Sequence, residues 1–376
     1  MAEWTRIVNS TIHQFIREVE GNIVRNRKLL AMMKSRGRIS FGHSGDLMDW
    51  KVRYKRAPMQ GYADSDTLTF ARRERLKTAQ LDWRGYAATD SMTKKERLMN
   101  SNMEAIVKLY SEIASNLMDD MEDQFADELL IDGNATGNTK RIHGFKSWTG
   151  YSGVATKQPI GIPNDTYAGL SCSLGNYGGA WSSTGATSSS QGDWPSGTGD
   201  AHYDFWSPLI VDYTSAISTS ASNGTTGWTA STKTWPNTCR EALRYGIIKG
   251  KKNKSKKGQL DLIMLNDELY RQLEDKIEAN EKINVNRNDP LGLFNLGFAD
   301  TLNFDGVDVS YEYGVPAGEG YGWALEHAEL CSLQKQLFVP EGPDFDISTQ
   351  SWRFSIDFFG NMRANPRYMV LWKNIS

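Results

Sequence analysis

Cysteine is scarce in this chain of 376 residues, and the few cysteines follow no known pattern. Cys172, Cys239 and Cys331 are odd in number, far apart and without a CxxC pair. They offer neither a disulfide framework nor the spacing of a zinc site. Folding in a reducing compartment is therefore favoured.

Long apolar runs are also missing. No stretch of about 18 apolar residues occurs, so we expect no membrane span. The first residues, MAEWTRIVNSTIHQF, scatter charged and polar side chains among the apolar ones. They lack the apolar core of roughly 7 to 15 residues that a signal peptide needs.

A large net charge is absent as well, because 43 basic residues nearly balance 45 acidic ones. The molecule as a whole therefore favours neither a polyanion nor a membrane surface as a partner. Hydrophobic residues make up 39% of the chain, which is typical of an ordered protein. At this length we expect at least two subdomains.

The sequence is poor in catalytic and metal-binding patterns. Five histidines stand apart with no HxH, HExxH or Cys/His pairing: His13, His43, His143, His202 and His327. Asp119 and Glu122 share a helix face, which predicts a solvated acidic surface rather than a glycosidase or two-metal site. We predict no catalytic residue, no metal and no cofactor.

Two glycine-rich segments resemble nucleotide-binding loops only superficially. GNATGNTK at 133–140 has three residues between its glycines where a phosphate loop has four, and Asn138 stands where the lysine should follow. Gly318, Gly320 and Gly322 open no helix, so we predict a hairpin turn there.

The first 38 residues look like an N-terminal arm. Apolar side chains recur every three or four positions from Trp4 to Ile23, which predicts an amphipathic helix interrupted near Gly21. Up to position 40 the segment has eight basic and three acidic residues.

Residues 39–92 change to a period of two, which predicts two paired strands around Trp50 and Leu81. Roughly twenty residues from Pro58 to Leu76 join them and include the charged run ARRER at 71–75. Such a hairpin is only marginally stable alone, so we expect it to lie on a neighbour.

The strongest helical pattern follows, with one apolar face from Met99 to Leu129 in a helix of roughly 38 residues and nearly 60 Å. Thr93 and Glu96 predict a capping box at its start, and Gly133 is expected to end it. Its other faces are largely acidic.

Residues 150–235 are rich in Gly, Ser and Thr with solitary tryptophans, which predicts turns and short strands in an inserted region. A short helix near 237–245, a lysine-rich turn, the strand LDLIMLN and a helix from Asp267 to about Ala279 are predicted next. Alternating strands and turns close the chain, with Pro366 between the last two strands.

Several segments resemble those of the major capsid proteins of tailed phages, the Hong Kong 97-type fold. The similar segments are ADELLIDGNATGN running into IHGF, then LDLIMLNDELYRQLED, FDGVDVSYEYGVPAGEG with YGWALE, and the closing RANPRYMVLW. They occur in the family's order and cover most of the chain except about 150–235.

The resemblance implies an α+β fold with an N-terminal arm, an extended β-hairpin loop, a long spine helix, and peripheral and axial subdomains. The implied divisions are the arm at 1–38, the extended loop at 39–92, the spine helix and peripheral subdomain at 93–150, a Gly/Ser/Thr-rich insertion at 151–235, the axial subdomain at 236–300, and strands completing both subdomains at 301–376.

The implied function is that of a major capsid protein, a non-enzymatic subunit that self-assembles into an icosahedral shell around phage double-stranded DNA. Its implied partners are further copies of itself in pentamers and hexamers, portal and scaffold proteins, and packaged DNA held by non-specific contacts. No membrane is implied, and the expected location is the virion, assembled in the host cytoplasm.

Two groups of residues are candidates for these contacts. Inter-subunit contacts are predicted for Trp50, Tyr54, Arg72, Arg73, Arg75 and Trp83. These arginines and the basic residues of the arm are expected to meet acidic faces of adjacent subunits, such as the acidic surface of the long helix. DNA-facing side chains are considered for Lys251, Lys252, Lys254, Lys256 and Lys257, although a lysine cluster between a helix and a strand more often forms a solvated loop.

Two other functions are compatible with the same sequence. An encapsulin-like nanocompartment shell would share the fold and enclose an enzyme instead of a genome, so a cargo protein purified with it would distinguish it. A glycan-binding or glycan-active protein is suggested by the tryptophans of the Gly/Ser-rich middle, and a soluble monomer that binds polysaccharide would favour it.

Overall fold

The computed structural model describes residues 27–54, 59–72, 74–99, 103–154, 161–173, 205–212, 234–252, 259–278 and 301–375. Helices and strands are mixed along these ranges, as the predicted α+β class requires. In this part of the chain no helix is both long and apolar enough to cross a membrane.

The helices lie mostly in the first three quarters of the chain. The α-helices of the described ranges are α1 (Lys28–Ser35), α2 (Lys94–Met99), α3 (Met103–Glu128), α4 (Trp235–Lys252) and α5 (Asp267–Glu278). Short 3₁₀ turns occur at Phe145–Trp148, Leu325–His327 and Pro366–Tyr368.

The strands form two larger sheets and three two-stranded ones. In chain order they are β1 (Ile39–Ser40), β2 (Leu47–Arg53), β3 (Leu76–Asp82), β4 (Arg84–Thr93), β5 (Tyr151–Val154), β6 (Gly161–Pro163), β7 (Thr166–Tyr167), β8 (Leu170–Ser171), β9 (Leu209–Asp212), β10 (Leu262–Leu265), β11 (Leu302–Phe304), β12 (Val307–Tyr311), β13 (Glu319–Trp323), β14 (Ala328–Ser332), β15 (Val339–Asp346), β16 (Ser351–Ala364) and β17 (Val370–Lys373).

The first large sheet is built around β16, whose 14 residues make it the longest strand of the described ranges. One edge of β16 pairs antiparallel with β4. Its other edge pairs with β15 along the first half and with β14 along the second, and β1 adds to β14 in parallel. β4 and β16 pair over ten positions, from Ser351 opposite Thr93 to Gly360 opposite Arg84.

β15 lies at a border of this sheet, since β16 is its only strand partner among the described residues. Its pairing is irregular between Glu341 and Asp344, and it contains Pro340 and Pro343. Proline has no amide hydrogen to donate, and it is confined within sheets to edges and bulges for that reason.

The second large sheet has the strand order β11-β12-β10-β13-β17-β9. All four residues of β10, the strand predicted from LDLIMLN, are buried. The predicted helix after it is observed as α5, and the indole nitrogen of Trp235 in α4 donates to the carbonyl of Leu269 in α5 at 2.9 Å. The two helices cover a core that is separate from the larger one beneath the first sheet.

β2 and β3 form the predicted hairpin, which the register confirms. They pair antiparallel over seven positions, from Leu47 opposite Asp82 to Arg53 opposite Leu76. Beyond the last pair the chain continues into the long predicted loop, which the structure describes except for residues 55–58 and 73.

The capping box before α2 is confirmed in both directions. The amide of Thr93 donates to the Glu96 carboxylate at 2.9 Å, and the amide of Glu96 donates to the Thr93 hydroxyl at 3.3 Å. α2 and α3 together span 94–128, with residues 100–102 outside the description.

The end of α3 corrects the sequence prediction, because the helix stops at Glu128 rather than at Gly133. A tighter turn follows, in which the amides of Leu130 and Ile131 bond three residues back. The amides of Phe145 and Lys146 then donate to the carbonyls of Leu129 and Leu130 at 2.9 and 3.3 Å. A later segment thus satisfies carbonyls that another helical turn would have used.

α1 belongs to the body of the subunit, although its residues were predicted to be part of an arm. Its apolar residues from Leu29 to Met33 are buried, and the Lys28 ammonium donates to the Ser310 hydroxyl of β12 at 2.8 Å. Arg36 pairs with Asp261 at 2.6 Å. Residues 1–26, which hold the predicted amphipathic helix, lie outside the described residues.

Packing against Trp372 overrides two local predictions about glycine. α4 was expected near 237–245 but runs through Gly246 and Gly250 to Lys252, despite the low helix propensity of glycine. Of the predicted turn glycines only Gly318 lies in a turn, whereas Gly320 and Gly322 lie in β13. A Cβ on Gly322 would stand 2.8 Å from the Trp372 ring, so the indole requires glycine there.

The described parts of 151–235 contain short strands, as predicted, but they are integral to the core. β9 pairs in parallel with β17 and so borders the second sheet. Tyr167, Cys172 and Trp206 are buried in the larger core. Residues 174–204 and 213–233 lie outside the description.

Candidate inter-subunit surfaces

The loop at the end of the β2–β3 hairpin exposes large apolar side chains. Met59, Tyr62 and Phe70 are 98%, 72% and 90% exposed. Single exposed apolar residues are ordinary, but three in one projecting loop form a surface suited to burial against another molecule. We call residues 59–76 of this loop the hairpin tip.

The hairpin tip has its own hydrogen bonds. The side-chain amide of Gln60 donates to the carbonyl of Thr69 at 2.9 Å, and the amide of Thr69 donates back to the Gln60 side chain at 3.0 Å. The amide of Ala63 donates to the Asp66 carboxylate at 2.9 Å. Because the loop is partly ordered before any partner binds, binding costs it less conformational entropy.

The predicted basic residues of the hairpin tip face solvent. Arg72 and Arg75 are exposed, and neither guanidinium has an ion-pair partner among the described residues, while Arg73 lies outside them. Glu74 of the same run pairs with Lys77 at 2.9 Å. Asp64, Asp66 and Glu74 balance the three arginines over the whole tip, so its positive charge is confined to the run 71–75, beside exposed apolar surface.

The three predicted aromatic residues pack within their own chain, with Trp50 in the middle of β2, Tyr54 just after β2 at the loop end, and Trp83 just after β3 at the root. Tyr54 is buried against Phe205, Trp50 is half-buried, and the indole nitrogen of Trp83 donates to the carbonyl of Gly45 at 3.0 Å. Their role between subunits remains a prediction.

A second apolar surface lies at the far end of the first sheet. α2 buries none of its residues, and Leu98 and Met99 are exposed, as is Ile347 in the turn after β15. The amide of Lys94 bonds to the carbonyl of Gln350 at 3.0 Å, which joins the helix to that turn. The sequence pattern placed Met99 on a buried helix face, but no part of the described chain covers it.

An acidic groove lies beside this end of the sheet, between β4, β15 and β16. Its volume is about 670 Å³. Four carboxylates and one guanidinium line it: Asp90, Glu341, Asp344, Asp346 and Arg353. Arg353 pairs with Asp346, so the negative charge of the groove comes mainly from Asp90, Glu341 and Asp344.

Arg27, just before α1, joins three parts of the subunit. Its guanidinium lies 2.5 Å from Asp123 and 3.9 Å from Asp127, both on α3, and 3.6 Å from Glu312 after β12. Basic residues of the arm were predicted to meet acidic helix surfaces of adjacent subunits. For Arg27 the acidic surface is that of its own chain.

Glu122 is an exception to the solvated acidic surface that the sequence predicted for α3. Its exposed fraction is 5%, and within the described residues Oε1 has no hydrogen-bond partner. Burial, together with the charges of Asp123 and Asp119, raises the pKa of Glu122 to about 7, against the opposing effect of Arg27. Asp119 itself is exposed, as predicted.

The lysine cluster can be located only in part. α4 continues to Lys252, so Lys251 and Lys252 lie on its last turn. Their side chains, and all of Lys254, Lys256 and Lys257, lie outside the described residues. Contact with DNA therefore remains a prediction.

His143 and two of the tryptophans are buried within the described part of the chain. Burial lowers the pKa of His143 to about 4, and its amide donates to the Asn361 side chain at 3.0 Å. Trp206 and Trp235, from the region that suggested glycan binding, are buried. Across the described ranges, no three or more His, Cys, Asp or Glu side chains are grouped as metal ligands would be.

No protein-family model matches this sequence, and no curated protein sequence is significantly similar to it. Solved structures do match. A capsid subunit of cyanophage A-1(L) is 14% identical, with 92% of each chain covered and a TM-score of 0.54. A capsid protein of Myoviridae phage XM1 is 9% identical over 92% of each chain, with a TM-score of 0.50.

An encapsulin of Synechococcus elongatus PCC 7942 is 7% identical over 94% of this chain and 89% of its own, with a TM-score of 0.46. The two phage capsid likenesses establish the fold. The chain has the Hong Kong 97-type fold of phage major capsid proteins, as the resemblance implied.

Proposed function

We propose that this chain is the major capsid protein of a tailed bacteriophage, and that copies of it assemble into an icosahedral shell around double-stranded DNA. The observation that carries the proposal is the correspondence with a cyanophage capsid subunit over 92% of both chains.

The distribution of apolar surface supports an assembling subunit. The hairpin tip precedes β3, and α2 with its exposed face follows β4. Trp83 is the single residue between these two strands. Neither the hairpin tip nor α2 has a core of its own, and closed shells are built from subunits that bury such surfaces against copies of themselves.

In this proposal each element has a role in the shell. Of the predicted arm at 1–38, α1 belongs to the body of the subunit; the β2–β3 hairpin is the extended loop, and α2 with α3 is the spine helix. The first large sheet belongs to the peripheral subdomain and the second to the axial subdomain. Pentamers and hexamers, portal and scaffold proteins and packaged DNA are the proposed partners, with assembly in the host cytoplasm.

We infer that the acidic groove receives the arginines of the hairpin tip of a neighbouring copy. The groove has an excess of carboxylates, and the tip has arginines without ion-pair partners in the described part of their own chain. Apolar contact from residues such as Phe70 would supply most of the affinity, while the charges set partner and register.

The function is tested by negative-stain electron microscopy of the recombinant protein after size-exclusion chromatography, alone and with the other structural proteins of its producing cell. Closed shells or rings of five and six subunits are expected. Shells taken from the producing cell should protect double-stranded DNA from nuclease. Shells that hold only a cargo protein would instead indicate a nanocompartment, and a monomer under all conditions would contradict the proposal.

Reversing the charge of the hairpin tip should prevent assembly. In the variant with Arg72, Arg73 and Arg75 all changed to Glu, we expect an unchanged unfolding temperature of the isolated subunit and a loss of shells of about tenfold or more. The unfolding temperature is measured by differential scanning calorimetry and shell yield by sedimentation.

Two companion variants sharpen this test. Lysine at the same three positions keeps the charge and should keep the shells. Lysine in place of Asp90, Glu341 and Asp344 should restore assembly to the reversed tip, because opposite charges would again face each other. Full shell yield from the reversed tip alone would refute the contact.

The lysine cluster gives a separate prediction about packaging. Serine at Lys251, Lys252, Lys254, Lys256 and Lys257 should leave shells intact and shorten the packaged DNA, because fewer phosphates are neutralised at the inner wall. Packaged length is read by pulsed-field electrophoresis. The control replaces Lys140 and Lys335, which are exposed and outside the cluster. Full-length packaged DNA in the cluster variant would show that these lysines do not contact the DNA.

A further inference from the structure

The methionines of the described residues fall into two groups that differ in exposure. Met59 in the hairpin tip is 98% exposed, and Met99 at the end of α2 is 74% exposed. Nine others are buried, and none of them is more than 7% exposed: Met32, Met33, Met48, Met92, Met118, Met121, Met264, Met362 and Met369. The side chains of Met1 and Met103 lie outside the described residues.

The two exposed methionines lie in the two apolar surfaces that the described chain leaves uncovered. Met59 belongs to the hairpin tip together with Phe70, and Met99 lies beside the exposed Leu98. The unbranched, polarisable thioether adapts to irregular contacts, and methionine is frequent in surfaces that bind varied partners. Both thioethers are therefore open to water and small solutes in the free subunit.

The three cysteines compete little for the same solutes. A peroxide attacks the thiolate form of cysteine, and the rate depends on how much thiolate is present and how exposed it is. Cys172, Cys239 and Cys331 are all buried, and burial raises the pKa of each thiol. Oxidation of sulfur in the folded subunit is thereby directed to the exposed thioethers.

We propose that Met59 and Met99 are modification sites of the free subunit, and that their oxidation to sulfoxide by hydrogen peroxide or a related two-electron oxidant prevents assembly. The sulfur lone pair attacks one oxygen of the peroxide. The O–O bond breaks as the S–O bond forms, so the thioether loses two electrons and the other oxygen leaves as water with both hydrogens. The effect on assembly rests on the proposed function.

A sulfoxide changes the surface that a neighbouring copy has to bury. The thioether sulfur is a weak hydrogen-bond acceptor, whereas the sulfoxide is polar, so burying it without a donor is unfavourable. Every copy in a closed shell repeats the same contacts, so a small loss at each contact is multiplied across the assembly. Oxidation would thus act on newly made subunits, while finished shells would protect the two thioethers.

Peptide mass spectrometry of isolated subunits treated with dilute hydrogen peroxide tests the two sites. We expect Met59 and Met99 to gain one oxygen atom about tenfold faster or more than the nine buried methionines. In subunits unfolded with urea the same methionines should oxidise at similar rates, which would show that exposure causes the difference. Equal rates for exposed and buried methionines in the folded subunit would overturn the assignment of these sites.

A variant with both Met59→Leu and Met99→Leu tests the consequence for assembly. Leucine keeps an apolar side chain of similar volume and cannot form a sulfoxide, so the untreated variant should form shells as the unmodified protein does. Peroxide treatment of the subunits should lower the shell yield of the unmodified protein about tenfold or more and leave that of the variant unchanged. Met48→Leu, at a buried position, is the matched control and should remain as sensitive as the unmodified protein.

Reduction provides a second readout on the unmodified protein itself. Methionine sulfoxide reductases of both epimer specificities should restore the shell yield of oxidised subunits, because they regenerate the thioether. An equal loss of shells in the double leucine variant, or no recovery after complete reduction, would overturn the step from oxidation to assembly. If the untreated, unmodified protein forms no shells, the proposed function fails, while the oxidation rates still decide the two sites.

Discussion

Trp372→Ala is expected to lower the free energy of unfolding by about 3–5 kcal/mol, which makes it one of the most damaging single changes in this chain. Trp372 lies in β17 in the middle of the smaller core and is fully buried. Alanine would remove most of the largest side chain and leave a cavity that the surrounding strands can close only in part.

The packing around Trp372 explains why no other residue would replace it well. Gly246 of α4 and Gly322 of β13 make room for the indole, and a Cβ on Gly246 would overlap its ring. The indole nitrogen also donates to the carbonyl of Ala242 at 3.0 Å. Trp372 is thus fixed by close packing against α4 and β13 and by one hydrogen bond to α4.

A double-mutant cycle isolates this fit, with unfolding followed in urea on isolated subunits. Gly246→Ala alone should cost about 1–3 kcal/mol, because its methyl group overlaps the ring. In the Trp372→Ala background the same change should cost far less, because the cavity accepts the methyl group. Trp352→Ala is the matched control at a partly exposed site. Strict additivity, or a loss below about 1 kcal/mol for Trp372→Ala, would contradict the packing described.

Glu122→Gln is expected to stabilise the subunit by about 2 kcal/mol at about pH 8 and to have little effect near pH 4.5. The unfolded chain releases this proton near the ordinary pKa of 4.5, while burial raises the folded pKa to about 7. The folded state therefore binds more protons in this interval, so its stability falls as pH rises from about 4.5 to about 7 and is constant above that.

Glutamine has nearly the same shape as glutamate and cannot ionise, so the variant should lose this part of the pH dependence. Unfolding midpoints in urea at about pH 4.5, 6 and 8 measure the difference. Asp120→Asn removes an exposed charge two residues earlier in the chain and serves as the control. Equal pH slopes in Glu122→Gln and the unmodified protein would show that the buried carboxylate is already neutralised by other means.

Local patterns predicted the elements whose stability is local. The alternation around Trp50 and Leu81 predicted paired strands, and Thr93 with Glu96 predicted the cap, because both depend on residues close in sequence. The fold was predicted for a different reason. Several motifs follow one another along the chain in the same order as the elements of the family's fold.

What the sequence pattern missed depends on partners far away in the chain. Trp206 stands alone in a Gly/Ser-rich region and has no periodicity, yet it is buried beneath a hairpin some 150 residues earlier. In the sequence, Glu122 is one acidic residue among many. Its burial is evident only in the structure, where Arg27 and the chain after β12 lie on that side of the helix. The exposed apolar hairpin tip could be inferred only as a loop of unusual length.

The irregular border strand β15 has a consequence for the time before assembly. A capsid subunit would accumulate to high concentration in the cell, where a straight strand edge could pair with the same edge of another copy and start an aggregate. Pro340, Pro343 and the break between Glu341 and Asp344 remove hydrogen-bond donors and bend this edge. This edge is therefore a poor template for strand-to-strand pairing between copies.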